Sequence, residues 1–149
     1  MTRRCLRCGQ NGVRNQARAG RTVSYRTLPA FPLPADFPLP TCRYCHAEYP
    51  DAETLAALDK VLVLPYVREL QRRTRYAVGE VCAYISQRRL ELRLGLSQGY
   101  LSRLCAGSGR PSAPLVALLM LLALDPPARL AELERVSTEP IPVPDAWSE

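Results

Sequence analysis

Lysine is almost missing from these 149 residues, with Lys60 standing alone among twenty basic side chains. Basic surface is therefore written in arginine, whose planar fork can give two hydrogen bonds to one phosphate, although a GC-rich genome would spell a basic surface the same way. Long apolar runs are missing too. The longest, Leu115 to Leu124, is about half of the roughly 20 residues a membrane span requires, so a soluble chain is expected. No apolar leader precedes the first cysteine, because Met1-Thr2-Arg3-Arg4-Cys5 runs straight into it; the expected compartment is the cytoplasm. Methionine is scarce, Met120 being the only one besides Met1. What is present is unevenly charged. Residues 1–50 carry eight arginines against Asp36 and Glu48, and residues 66–110 carry nine against Glu69, Glu80 and Glu91, so each segment is net +6 while the remainder is acidic. Two basic regions point to a polyanionic partner.

Two Cys-x-x-Cys pairs, Cys5/Cys8 and Cys42/Cys45, dominate the rest. A two-residue gap lets both thiolates of a knuckle reach one ion, and two knuckles complete a tetrahedral zinc site with no open position for substrate. One structural Zn2+ and no enzymatic activity are therefore expected. Gly9 follows the first pair, where the chain can turn so that its amides face sulfur. Other chemistries fit less well. Cys42-Arg43-Tyr44-Cys45-His46 also spells the haem-attachment signature, which needs export and is short enough to arise by chance. A thioredoxin-like redox pair wants a βαβ setting that the Pro-rich stretch after Gly20 does not supply, and disulfides are disfavoured in a reducing cytosol. His46 is read as a residue tolerated at positive φ in a turn where Gly commonly sits.

Along the chain, Arg21 to Arg26 alternates and is expected as a half-exposed strand. Pro29, Pro32, Pro34, Pro38 and Pro40 then mark an edge or an extended loop, since proline lacks the donor a central strand needs; a scaffold role is favoured over a polyproline ligand. Tyr25, Tyr44 and Tyr49 are expected to pack around a small metal core rather than to stack bases. From Asp51, an N-cap, Leu55, Leu58 and Leu62 recur at helical spacing, and Pro65 interrupts that pattern near a domain boundary.

Ser86 to Leu104 reads as a capped helix, a glycine turn and a second capped helix, which is a helix-turn-helix. Ser86 caps the first, with Leu90 and Leu94 on one face; Gly95 ends it in the left-handed conformation; Ser97 caps the second, with Leu101 and Leu104 inward. Gln98, Gly99, Tyr100 and Arg103 are then outward. Gln suits adenine and Arg suits guanine in the major groove, and uncapped amides at the helix start can meet a phosphate. Arg88 and Arg89, with Arg93, form either a solvated face or phosphate contacts. Arg110 lies in the loop before Ser112, which is expected to cap an apolar helix from Pro114 to Leu124, buried on most sides and serving as core first and dimer interface second. Cys82 and Cys105 are read as small core hydrophobes.

With LSRL, a glycine loop, RPS and a leucine-rich helix, the run from Ser86 to about Leu124 resembles an Xre/Cro-type DNA-binding domain. Coupled to the two knuckles and to CRYCHAEYPDAE, the chain up to about residue 135 resembles the MqsA/YgiT-type antitoxin family. That resemblance implies an α+β architecture, with a small β-rich zinc-binding domain over 1–64 and an all-α helix-turn-helix domain over 65–136; beyond it, residues 137–149 read from their own composition as a Pro-rich acidic tail whose Trp147 is a candidate for docking on a partner. The resemblance implies metal ligation by Cys5, Cys8, Cys42 and Cys45, and base reading by a helix bearing Ser102 and Arg103. It further implies a homodimer on double-stranded DNA in the bacterial cytoplasm, repressing transcription, with a toxin docked on the zinc domain. Three positions depart from the family's pattern: Gly99 stands where Asn is expected, His46 where Gly is usual, and Glu91 where such helices pack a small Ala. A stand-alone regulator without a toxin, and an RNA- or ribosome-associated zinc ribbon, are the alternative readings.

Overall fold

Alternation in the first fifty residues produces short antiparallel strands. The structure, a computed structural model, describes residues 3–140 and divides between Tyr66 and Val67 into two compact units. Trp147, with the tail from 141 onward, lies outside the described residues. The architecture is α+β, and none of the helices among the described residues is long and apolar enough to cross a membrane.

In the first unit, β1 (Arg3–Arg4), β2 (Asn11–Gln16) and β5 (Leu39–Cys42) form one antiparallel sheet in the order β1-β2-β5. Its register matters for the cysteines. Val13 lies opposite Arg3 on one side and Cys42 on the other, so both segments entering the knuckles meet at the same end of the sheet. A separate hairpin pairs β3 (Thr22–Tyr25) with β4 (Leu28–Pro32). β3 alternates in exposure, as expected of a half-exposed strand. Pro29, Pro32 and Pro40 fall on outer strands, β4 belonging to a two-stranded sheet and β5 being an edge of the three-stranded one, while Pro34 and Pro38 lie in the loop between them.

The helix after Asp51 begins as expected and ends far later. Asp51 Oδ1 accepts from the Thr54 amide (2.9 Å) and hydroxyl (2.6 Å), and α1 then runs without a break from Ala52 to Cys82, through Pro65. Proline in a helix interior removes one hydrogen bond and crowds the preceding turn, at about 3 kcal/mol. Burial outweighs that here. Leu58, Leu62, Tyr66, Leu70, Thr74, Ala77, Val78 and Val81 are all buried at intervals of one to four residues, so an apolar stripe runs straight past an exposed proline. In the first unit Tyr66 meets Tyr25 edge-on, ring centroids 5.5 Å apart, and Asp59 accepts from the Tyr25 hydroxyl (2.6 Å) and Arg26 (3.1 Å).

The second unit continues with α2 (Gln87–Arg93), α3 (Tyr100–Cys105), α4 (Ala113–Leu124) and α5 (Pro126–Thr138). Ser86 caps α2 by accepting from the Arg89 amide (3.4 Å), and Gly95 takes the left-handed conformation (φ 65°) that follows the helix. Leu90, Leu101, Leu104, Leu119, Leu122 and Leu130 close a core with Val81 and Ile85, against which Cys82 and Cys105 pack. Two expectations need correction. Ser112 occupies the cap position of α4 but makes no side-chain capping bond. Nor is α4 buried on most sides: Val116, Leu119, Leu122 and Ala123 face the core, while Leu118, Leu121 and Leu124 are exposed, because α5 and the other helices cover only one side of it.

Candidate metal centre and candidate nucleic-acid surface

Each knuckle sits in a turn just after or at the end of a strand. Gly9 (φ 73°) and His46 (φ 57°) hold the equivalent left-handed position one residue past each pair, and their amides close the turns by donating to the carbonyls of Cys5 and Cys42 (both 2.9 Å). His46 therefore plays the glycine's part, as its conformational tolerance allows. The Cys8 amide points at Cys5 Sγ (3.4 Å).

The four sulfurs lie within 4.8 Å of one another. The closest approaches cross between knuckles, Cys5 to Cys45 at 3.4 Å and Cys8 to Cys42 at 3.6 Å. Metal–sulfur bonds of about 2.3 Å in a tetrahedron place sulfurs about 3.8 Å apart, so the donor set fits one ion. It does not fit disulfides, whose sulfurs stand at about 2.05 Å, and all four cysteines are free. Cys5 and Cys42 are buried with Val13, and Tyr49 packs against this small cluster. The Tyr49 hydroxyl donates to Cys5 Sγ (3.2 Å) while accepting from the Arg7 amide (3.1 Å). That hydroxyl, with the Cys8 and Arg7 amides, outweighs burial and lowers Cys5 to about 6. The Gln10 amide favours the Cys8 thiolate, but burial and the three neighbouring sulfurs push Cys8 up to about 12. Sequence patterns found the ligands and set Tyr49 beside them, but missed its hydrogen bond to Cys5, which the register of the Thr41–Glu48 bridge brings about.

In the second unit, α3 is anchored by Leu101 and Leu104, both buried, which turns Ser102 and Arg103 to solvent. Ser97, Gln98, Arg88, Arg89 and Arg110 are also exposed. Tyr100 is not free in the same way, because its ring packs against the core. Arg93 is engaged by Glu134 (3.0 Å), which removes it from the unpaired arginines of α2.

The start of α3 differs most from expectation. Ser97 is not its cap: the helix begins at Tyr100, Gly99 holds the cap position at φ 75°, and the Ser97 hydroxyl accepts from Arg103 (3.5 Å). The amides at the helix start are not uncapped either. Glu91, buried on α2, accepts from the Gly99 amide through Oε2 and from the Leu101 amide through Oε1, both at 2.9 Å. Gln87, one turn earlier, donates to Glu91 Oε1 (3.2 Å) and to Ser102 Oγ (2.6 Å). An acid directly after Leu90 on α2, eight residues before a glycine that has no side chain to cap with, was the available signal. Comparison of the chain with protein-family models, with curated proteins and with solved structures finds no match.

Proposed function

We propose that this chain is a zinc-stabilised, dimeric, sequence-specific DNA-binding repressor of antitoxin-like organisation. The observation that carries the reading is α3: a short helix pinned by Leu101 and Leu104, presenting Ser102 and Arg103, with Gln98 exposed before it and Arg88, Arg89 and Arg110 exposed around it. Arg103 would read a base edge, Gln98 would read or position its neighbour, and the other arginines would hold phosphates. In this reading α2 and α3 form an Xre/Cro-type helix-turn-helix, and the exposed Leu118, Leu121 and Leu124 of α4 supply an apolar strip for a second copy. Two recognition helices related by that symmetry would enter successive major grooves and exclude polymerase.

Zinc is the ion best suited to four thiolates in a closed tetrahedral set, held by Cys5, Cys8, Cys42 and Cys45. It would organise the sheet without taking part in a reaction. Docking of a toxin on this unit is supported by the resemblance of the two knuckles and the strand-rich insert to MqsA/YgiT-type antitoxins. The test is selection of sites from random duplexes by the full-length protein, followed by titration of the selected duplex and of a single-stranded RNA of the same length across a salt series. The reading requires enrichment of a symmetric site with half-site centres about one helical turn apart. Tighter binding to the RNA, with no duplex sequence enriched, would instead support a zinc-ribbon RNA binder.

A further inference from the structure

We propose that Glu91 is a positioning residue: its carboxylate replaces the capping side chain that α3 lacks and fixes the rotation of that helix against α2. A six-residue helix cannot sustain itself in water and takes its geometry from its attachments. The position that would normally carry a capping oxygen is Gly99, which has none and whose φ of 75° strains any L side chain. Glu91 supplies the oxygen through space. Its two oxygens take amides two residues apart in sequence, Gly99 and Leu101, so turning α3 about its axis would lengthen one bond as it shortened the other.

Gln87 extends the clamp to the surface. By donating both to Glu91 and to Ser102 Oγ, it ties the exposed side of α3 to the same buried carboxylate. The donors account for the burial. Desolvation alone would raise the pKa of Glu91, yet the two amides, Gln87 and the charge of Arg103 hold it below the usual glutamate range. A further consequence is that the start of α3 carries a fixed negative charge, so phosphates must be met by arginines and not by these amides. The consequence for DNA rests on the reading of α3 given above; the clamp itself does not.

Amide hydrogen exchange by NMR on the full-length protein tests this, with wild type, Glu91→Gln and Gln87→Ala compared, alongside titration of the selected duplex. In wild type the Gly99 and Leu101 amides should be protected. Glu91→Gln should speed their exchange by about tenfold or more while Leu119 and Leu122 amides in α4 change little, and should weaken duplex binding by about tenfold; Gln87→Ala should do both more weakly. Unprotected Gly99 and Leu101 in wild type would overturn the proposal. So would Glu91→Gln leaving them protected, or speeding every core amide alike, since a residue of purely structural value would act globally. If Glu91→Gln does not fold, the wild-type protection and Gln87→Ala decide. If wild type binds no duplex, the DNA reading of α3 fails, and the exchange data still decide the clamp.

Discussion

Pro65→Ala should stabilise the protein, and by a large amount for an exposed position. Proline in a helix interior is about 3 kcal/mol worse than alanine, a host–guest figure that already contains the restricted freedom of the unfolded chain. Because Pro65 is exposed, the substitution sacrifices no burial, and the new amide can donate to the carbonyl of Val61 one turn earlier. A net gain of about 2–3 kcal/mol follows, allowing for partial local relaxation around the proline. For a unit of this size each kcal/mol moves the midpoint by about 4–8 °C, so a rise of about 10 °C or more is expected. Pro65→Gly should fall between the two, since glycine is about 1 kcal/mol worse than alanine but about 2 better than proline. Urea unfolding followed by far-ultraviolet circular dichroism, in metal-loaded protein, reads the order Ala, Gly, Pro directly. A Pro65→Ala protein no more stable than wild type would mean that the helix breaks at residue 65 in solution, and that the apolar stripe from Leu58 to Val81 does not override the proline.

Metal removal should unfold the sheet of the first unit, because Val13 and Tyr49 are almost all that the cysteine cluster has besides its ligands; Cys42→Ser should give the same loss without chelator, and elemental analysis should find one zinc per chain in wild type and less in the variant. Asp51 is held down to about 2 by the Thr54 hydroxyl and amide and by Arg3, so its contribution is present above the ordinary aspartate range and fades as pH falls from about 4 toward 2. Asp51→Ala should therefore be less stable than wild type at neutral pH, with the difference shrinking as pH falls from about 4 toward 2, as thermal melts across that range will show. Leu121→Glu should leave the second unit folded, since Leu121 is 56 % exposed, and should reduce a dimer to monomer in analytical ultracentrifugation; a dimer that persists would move the interface away from α4.

Local chemistry carried most of what the sequence disclosed. The Cys-x-x-Cys spacing marked four ligands that strand register brings together, and Asp51, Ser86 and Gly95 do at their helix ends what residue type alone dictates. The readings that failed depend on distance. Pro65 looks like the end of a helix until the buried stripe on both sides of it is summed, and Ser97 looks like a cap until Glu91, ten residues before Leu101 and on the preceding helix, takes the amides first. Ser112 has the right residue type in the right place and still makes no capping bond, for which the structure offers no physical account. Tyr49 was read as packing around the metal core, as it does, but its hydrogen bond to Cys5 required the fold.

The central claim is that α3 reads bases, and Arg103 compared with Arg88 tests it most directly. Both arginines are exposed, so neither substitution removes a buried side chain. On the selected duplex and on variants changed at one base pair, Arg103→Ala should cost about 1–3 kcal/mol on the cognate site and flatten the preference at one position. Arg88→Ala should weaken all the duplexes alike and lower the salt slope by about 1. If Arg103→Ala binds as tightly as wild type while Arg88→Ala changes base preference, the reading surface belongs to α2 and the account of α3 is contradicted.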